Sequence, residues 1–142
     1  MREIKFRAWD KYYRTMCRVD VVTDKGAHLV GLPVESDWEE SEEGYVVLSK
    51  GQRFRYNNEI DLMQYTGLKD KNKVEIYDGD IVECKVMHDI NINYWVIKPP
   101  RWIVEWNTLG ANFALKHTND LPFDLSSYWE VIGNIYENKE LL

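Results

Sequence analysis

Cysteine, histidine and proline are scarce in this chain, and the first two scarcities each remove a class of function. Of 142 residues, two are cysteine, three histidine and four proline. Cys17 and Cys84 are too few for a disulfide framework, and with no Cys-x-x-Cys pair they supply no zinc site. Both are read as buried thiols. His28, His88 and His117 are widely separated and lack the i, i+4 or cysteine partners of a metal site, so no metal and no cofactor is expected. No Gly-x-Ser-x-Gly elbow occurs, and no glycine-rich loop matches a phosphate cradle. Nucleophilic catalysis and nucleotide binding are therefore without support, and the chain is read as a non-enzyme. No apolar run approaches the roughly 18 residues of a membrane span. The opening residues 1–7 lack the apolar stretch of a signal peptide. The expectation is a cytoplasmic protein with no membrane partner.

What is abundant is aromatic side chain and, locally, charge. Six Trp and nine Tyr raise the aromatic share to 13%, and an apolar content of 44% can fill the core of one compact domain. Large amphipathic rings fill β cores and also favour interfaces. The net charge of −6 has one origin: six of the 24 acids lie within residues 35–43, and the remaining 18 equal the 18 basic residues. That acidic run is read as a solvated loop. Trp38 inside it is out of place unless it packs back on the domain or meets a partner. Residues 1–18 are basic, with Arg2, Lys5, Arg7, Lys11, Arg14 and Arg18 against Glu3 and Asp10.

Period-two alternation marks half-buried strands along most of the chain. Ile4, Phe6 and Ala8 alternate with Lys5, Arg7 and Trp9, and a second strand over 16–22 completes a hairpin with Tyr12 and Tyr13 at its tip. Short strands follow at 28–32, 45–49 and 53–55. Residues 62–83 organise the chain as strand, turn, short strand, tight turn, strand, with Gly67 and Gly79 placed where the backbone must reverse. Asp78 and Asp80 flank Gly79 and are read as turn residues whose carboxylates accept backbone N–H bonds, rather than as a catalytic or ion-binding pair. Val82, Cys84 and Val86 continue inward-facing, joined in one core by Val104, Val131 and Ile135. Pro99-Pro100 stops a short strand at 94–97. Trp102, Val104 and Trp106 share one face of the next strand, and 119–127 offers the single helical turn. Gly133, in a closing strand over 129–136, marks a bend or close backbone approach.

Four blocks in order, Met1-Arg-Glu-Ile-Lys-Phe-Arg-Ala-Trp-Asp10, Met63-Gln-Tyr-Thr-Gly-Leu-Lys-Asp-Lys-Asn72, Glu75-Ile-Tyr-Asp-Gly-Asp-Ile-Val82 and Val131-Ile-Gly-Asn-Ile-Tyr-Glu137 with Leu141-Leu142, resemble the YopX family of phage and prophage proteins. The resemblance implies a mostly β protein with little helix, in which an N-terminal β-hairpin region (residues 1–60, with the acidic loop) precedes an SH3-type, barrel-like part (61–142) within one compact unit. It implies no biochemical activity. Two departures stand out. Lys73 follows Asn72 where family members commonly have Gly, and Lys139 stands where Pro is frequent.

Two functional classes follow. The preferred one is a protein-interaction module, its partner a phage or host protein or a second copy, using aromatic surface outside the core at Trp9, Tyr12, Tyr13 and Trp38. The alternative is a nucleic-acid-binding barrel using the basic hairpin together with Lys69, Lys71 and Lys73. The acidic balance opposes this alternative, because nonspecific nucleic-acid affinity comes largely from phosphate neutralisation.

Overall fold

The computed structural model describes residues 3–33, 38–41, 44–47, 51–84, 101–116 and 128–142. The readings at Val86, 94–97, Pro99-Pro100 and 119–127 lie outside them. The chain forms two compact units, Lys5–Gln64 and Tyr65–Leu142, the latter including Met1–Ile4. Both are built on antiparallel sheet, so the mostly β class is borne out.

In the first unit, β1 (Phe6–Asp10) and β2 (Thr15–Val22) form the expected hairpin, followed by β3 (Gly26–Val30), β6 (Gln52–Tyr56) and β7 (Ile60–Lys69), with neighbours in the order β6-β3-β2-β1-β7. Register explains the core. Ala8 pairs with Cys17 and Val19 with Leu29, so these residues share one face. Ala8, Cys17, Ala27, Leu29, Leu32 and Ile60 pack there as a single buried cluster. Burying side chains of the Leu and Ile class contributes about 1.5–3 kcal/mol each.

The middle of the acidic run, 38–41, differs from its reading as a loop, and Glu35, Asp37, Glu42 and Glu43 lie outside the described residues. Residues Trp38–Ser41 form β4, paired with β5 (Gly44–Val47) from Trp38 opposite Val47 to Ser41 opposite Gly44. Tyr45, Val46 and Val47 have high strand propensity and supply a ladder strong enough to recruit the acidic partner strand. The side chain of Trp38 lies outside the described residues.

Gly26 opens β3 opposite Tyr56. A Cβ there would collide with the carbonyl of Arg55 and stand 2.9 Å from Cα of Tyr56, both main-chain obstacles that no rotamer change can relieve. Gly26→Ala is therefore expected to destabilise by about 2–3 kcal/mol. An unchanged urea midpoint would show that β6 does not approach β3 this closely.

In the second unit, the later part of β7 pairs with β8 (Glu75–Tyr77), and β9 (Asp80–Cys84), β10 (Arg101–Asn107), β11 (Asn112–Leu115) and β12 (Trp129–Asn134) form a sheet in the order β11-β10-β9-β12. This sheet is open among the described residues, not closed into a barrel. Val82 lies between Trp102 on β10 and Val131 on β12. Ile76, Val82, Val104, Leu115 and Trp129 make its buried cluster, with Cys84, Trp102 and Val131 packed against it. Ile135 is only half-buried and stands outside that cluster. Cys84 is likewise half-buried, whereas Cys17 is buried; both are free thiols.

Gly67 lies within β7, at φ +88, where the register against β8 shifts; it bulges the strand and does not reverse the chain. The reversal comes three residues later. Gly79, at φ +84, does sit in a tight turn, between β8 and β9. Gly133 follows a register shift on β12, and a Cβ on it would press into the side chain of Asn138.

Candidate functional site

Four buried polar side chains at strand ends share one task. Asp10, 0% exposed, accepts the backbone N–H groups of Tyr12 and Tyr13 on Oδ1 and the Arg55 guanidinium on Oδ2, at 2.7–3.0 Å. Asp80 accepts the N–H of Tyr77 through Oδ2, and Asn134 Oδ1 accepts those of Tyr136 and Glu137. Asp70 reaches furthest: Oδ1 accepts Asn72 and Val74 N–H at 2.8 and 2.9 Å, and Oδ2 accepts Val131 N–H at 2.9 Å. Asp and Asn at either end of a turn replace the missing partners of a backbone that has left its ladder. Each of these side chains accepts main-chain N–H groups, Asp10 a guanidinium besides, and Asp80 is buried while Asp78 is half-buried. Among the described residues no group of three or more His, Cys, Asp or Glu stands close enough to hold a metal ion.

The turn that Asp70 pins carries the three lysines. Lys69, Lys71 and Lys73 are all exposed around buried Asp70, and Leu68 and Val74 flank them with 40% and 48% of their surface in solvent. Besides the three Asp70 bonds, the turn is closed by Asp70 N–H to Val74 O, Lys73 N–H to Asp70 O and Lys71 N–H to Trp129 O. A pair between Lys71 and Glu130 at 3.7 Å is the sole described carboxylate contact of the three ammonium groups. A long charged side chain normally loses binding energy to backbone disorder; here the backbone is fixed before any partner arrives.

Lys73 has φ +64, the left-handed conformation that glycine adopts without steric cost. Lys73→Gly is expected to raise stability by about 0.5–1 kcal/mol while removing one of the three charges. A lowered urea midpoint would mean that the lysine side chain contributes to folding in some other way.

The remaining sequence-predicted residues occupy different places. Tyr12 is 81% exposed at the β1–β2 tip and meets Tyr13 edge-on at 4.8 Å. Tyr13 packs against the first core, with the Arg55 guanidinium 5.6 Å from its ring centre. Trp9 is half-buried, opposite Met16 and Asp61. His28 Nδ1 lies 2.6 Å from Asp20 Oδ1, and this hydrogen bond holds the Asp20 carboxyl below its usual range. Burial and the nearby Asp10 charge push the Cys17 thiol up to about 11, which makes it a poor nucleophile at neutral pH.

Sequence reasoning missed Arg55, because its partner Asp10 is 45 residues away. It also passed over Asp70, although an Asp two residues before Asn72 and four before Val74 is a turn signal.

The family model described as YopX protein matches residues 5–142. A crystal structure of protein EF1440 from Enterococcus faecalis superposes with a TM-score of 0.66 at 27% identity, covering 100% of this chain and 99% of that one. No protein with a curated description matches the chain.

Proposed function

Since the chain belongs to the YopX protein family, we propose that it is a phage- or prophage-encoded interaction module of the bacterial cytoplasm that binds an acidic protein surface and catalyses nothing. The observation that carries this reading is the pinned turn, where Lys69, Lys71 and Lys73 project from a backbone fixed by Asp70. Exposed Leu68 and Val74 beside the lysines fit a protein surface that pairs carboxylates with apolar contact. A phosphate backbone offers nothing to these two side chains, and no exposed ring stands among residues 66–74 to stack a base. Asp10, Asp70 and Asp80, the buried carboxylates at turns, each accept backbone N–H groups, which is the work of turn residues and not of a general acid or base.

The test is co-purification from host cells, with the parent and a Lys69→Glu/Lys71→Glu/Lys73→Glu variant, followed by association measured against the identified partner and against short DNA and RNA across a salt series. A protein partner bound by the parent and lost from the variant is expected, with affinity that falls as salt screens the lysine–carboxylate pairs. Submicromolar nucleic-acid binding that falls about tenfold or more between low and moderate salt would overturn the reading in favour of phosphate recognition.

A further inference from the structure

The sheet face opposite the second core holds a cleft of about 360 Å³, lined by Ile81, Arg101, Trp102, Ile103, Lys116, Leu141 and Leu142. Register builds its floor. Ile81 pairs with Ile103, and the Lys116 backbone N–H donates to the Ile103 carbonyl, so Lys116 stands beside an apolar row across β9 and β10 and lines the same cleft. The tail builds its wall: Asn134 caps the turn after β12, Asn138 packs where Gly133 has no Cβ, and the 3-10 turn Lys139–Leu141 places Leu141 and Leu142 on the row. Leu142 keeps 66% of its surface in solvent, so this wall leaves the cleft accessible.

Two side chains of the lining are cationic, Arg101 and Lys116. Arg101 Nε donates to buried Glu83 Oε2 at 2.9 Å, which offsets one positive charge, while Lys116 has no ion-pair partner among the described residues. A lysine beside an apolar floor, with no ion-pair partner among the described residues, matches an anion on an apolar body. The volume lies at the lower end of the range for small-molecule sites, about 300–1,000 Å³.

We infer that this cleft binds an aliphatic monocarboxylate, with its chain along Ile81 and Ile103 against Leu141 and Leu142 and its carboxylate at Lys116. This site is separate from the lysine turn and needs no partner protein.

The test follows the methyl resonances of Ile81, Ile103, Leu141 and Leu142 while butanoate, hexanoate and octanoate are titrated into the full chain. Saturable shifts confined to those methyls at millimolar ligand are expected, with affinity rising up to about fourfold per added methylene. Lys116→Gln, a change at an exposed side chain, is expected to keep the parent spectrum and weaken octanoate by about fivefold or more, because a charge-assisted hydrogen bond is lost. Octanol, with the same chain and no charge, should bind the parent as weakly as octanoate binds the variant. No saturable shift, equal affinity for octanol and octanoate, an unchanged affinity in Lys116→Gln, or shifts spread over both units would each overturn the assignment.

Discussion

Asp10→Ala is expected to cost about 3–5 kcal/mol, the largest effect of any single substitution in the first unit, because it removes one partner of a buried ion pair. Asp10 is fully buried and the Arg55 side chain only 15% exposed, so the guanidinium is left without its carboxylate where water cannot replace it. Tyr12 and Tyr13 lose their acceptor at the same time, which releases the β1–β2 turn. Asp10→Asn should fall between parent and alanine variant, since an amide oxygen can still accept N–H bonds but carries no charge for Arg55. A second readout separates the electrostatic part from the packing part. With the Asp10 charge gone, the Cys17 thiol should titrate below its present value of about 11. Its alkylation rate at alkaline pH would then rise in Asp10→Asn before the fold is lost. A urea midpoint and a Cys17 titration that both match the parent would place Arg55 and Asp10 in separate environments.

Asp70→Ala is the counterpart in the second unit, with an expected loss of about 3 kcal/mol or more from three backbone donors deprived of a charged acceptor. Its functional consequence differs from its thermodynamic one. The three lysines remain in the variant, so any loss of partner binding at a temperature where the sheet is still folded reports the value of holding them in place. Asp70→Asn keeps one acceptor oxygen and should preserve the two bonds of the turn itself while weakening the tie to Val131. Its stability should accordingly lie nearer the parent's.

Much of this architecture was legible because alternation is a local signal. Ala8, Val82, Val104 and Val131 face inward as their period-two patterns require, and the Asp78-Gly79-Asp80 turn stands between strands as its residue types demand. Gly67 was misread because the same residue serves a reversal and a bulge, and only the register of the neighbouring strand tells them apart. Residues 38–41 of the acidic run were misread for a related reason. Charge density argues for a loop, yet Tyr45, Val46 and Val47 lie close enough in sequence to draw Trp38–Ser41 into a ladder. Ile135 follows the alternation of β12, but the register shift after Val131 takes it away from the main cluster.

The candidate sites were legible only in part. Lys69, Lys71 and Lys73 are visible in sequence as a charge pattern, whereas their fixation depends on Asp70 meeting Val131 across 61 residues. The Ile81–Ile103 cleft depends on strand pairing and on a tail that folds back, neither of which leaves a local trace. Long-range hydrogen bonds convert an ordinary turn and an ordinary strand face into candidate binding surfaces.

The pinning of the lysine turn is tested most directly by amide hydrogen exchange at Asn72, Val74 and Val131 in the parent protein. All three donors should be protected well beyond the rate of an open loop, and Asp70→Ala should lose that protection at Asn72 and Val74 while the amides of β9 and β10 keep theirs. Exchange at open-loop rates in the parent, with no further change on removing Asp70, would contradict a preorganised turn and leave the three lysines as ordinary solvated charge.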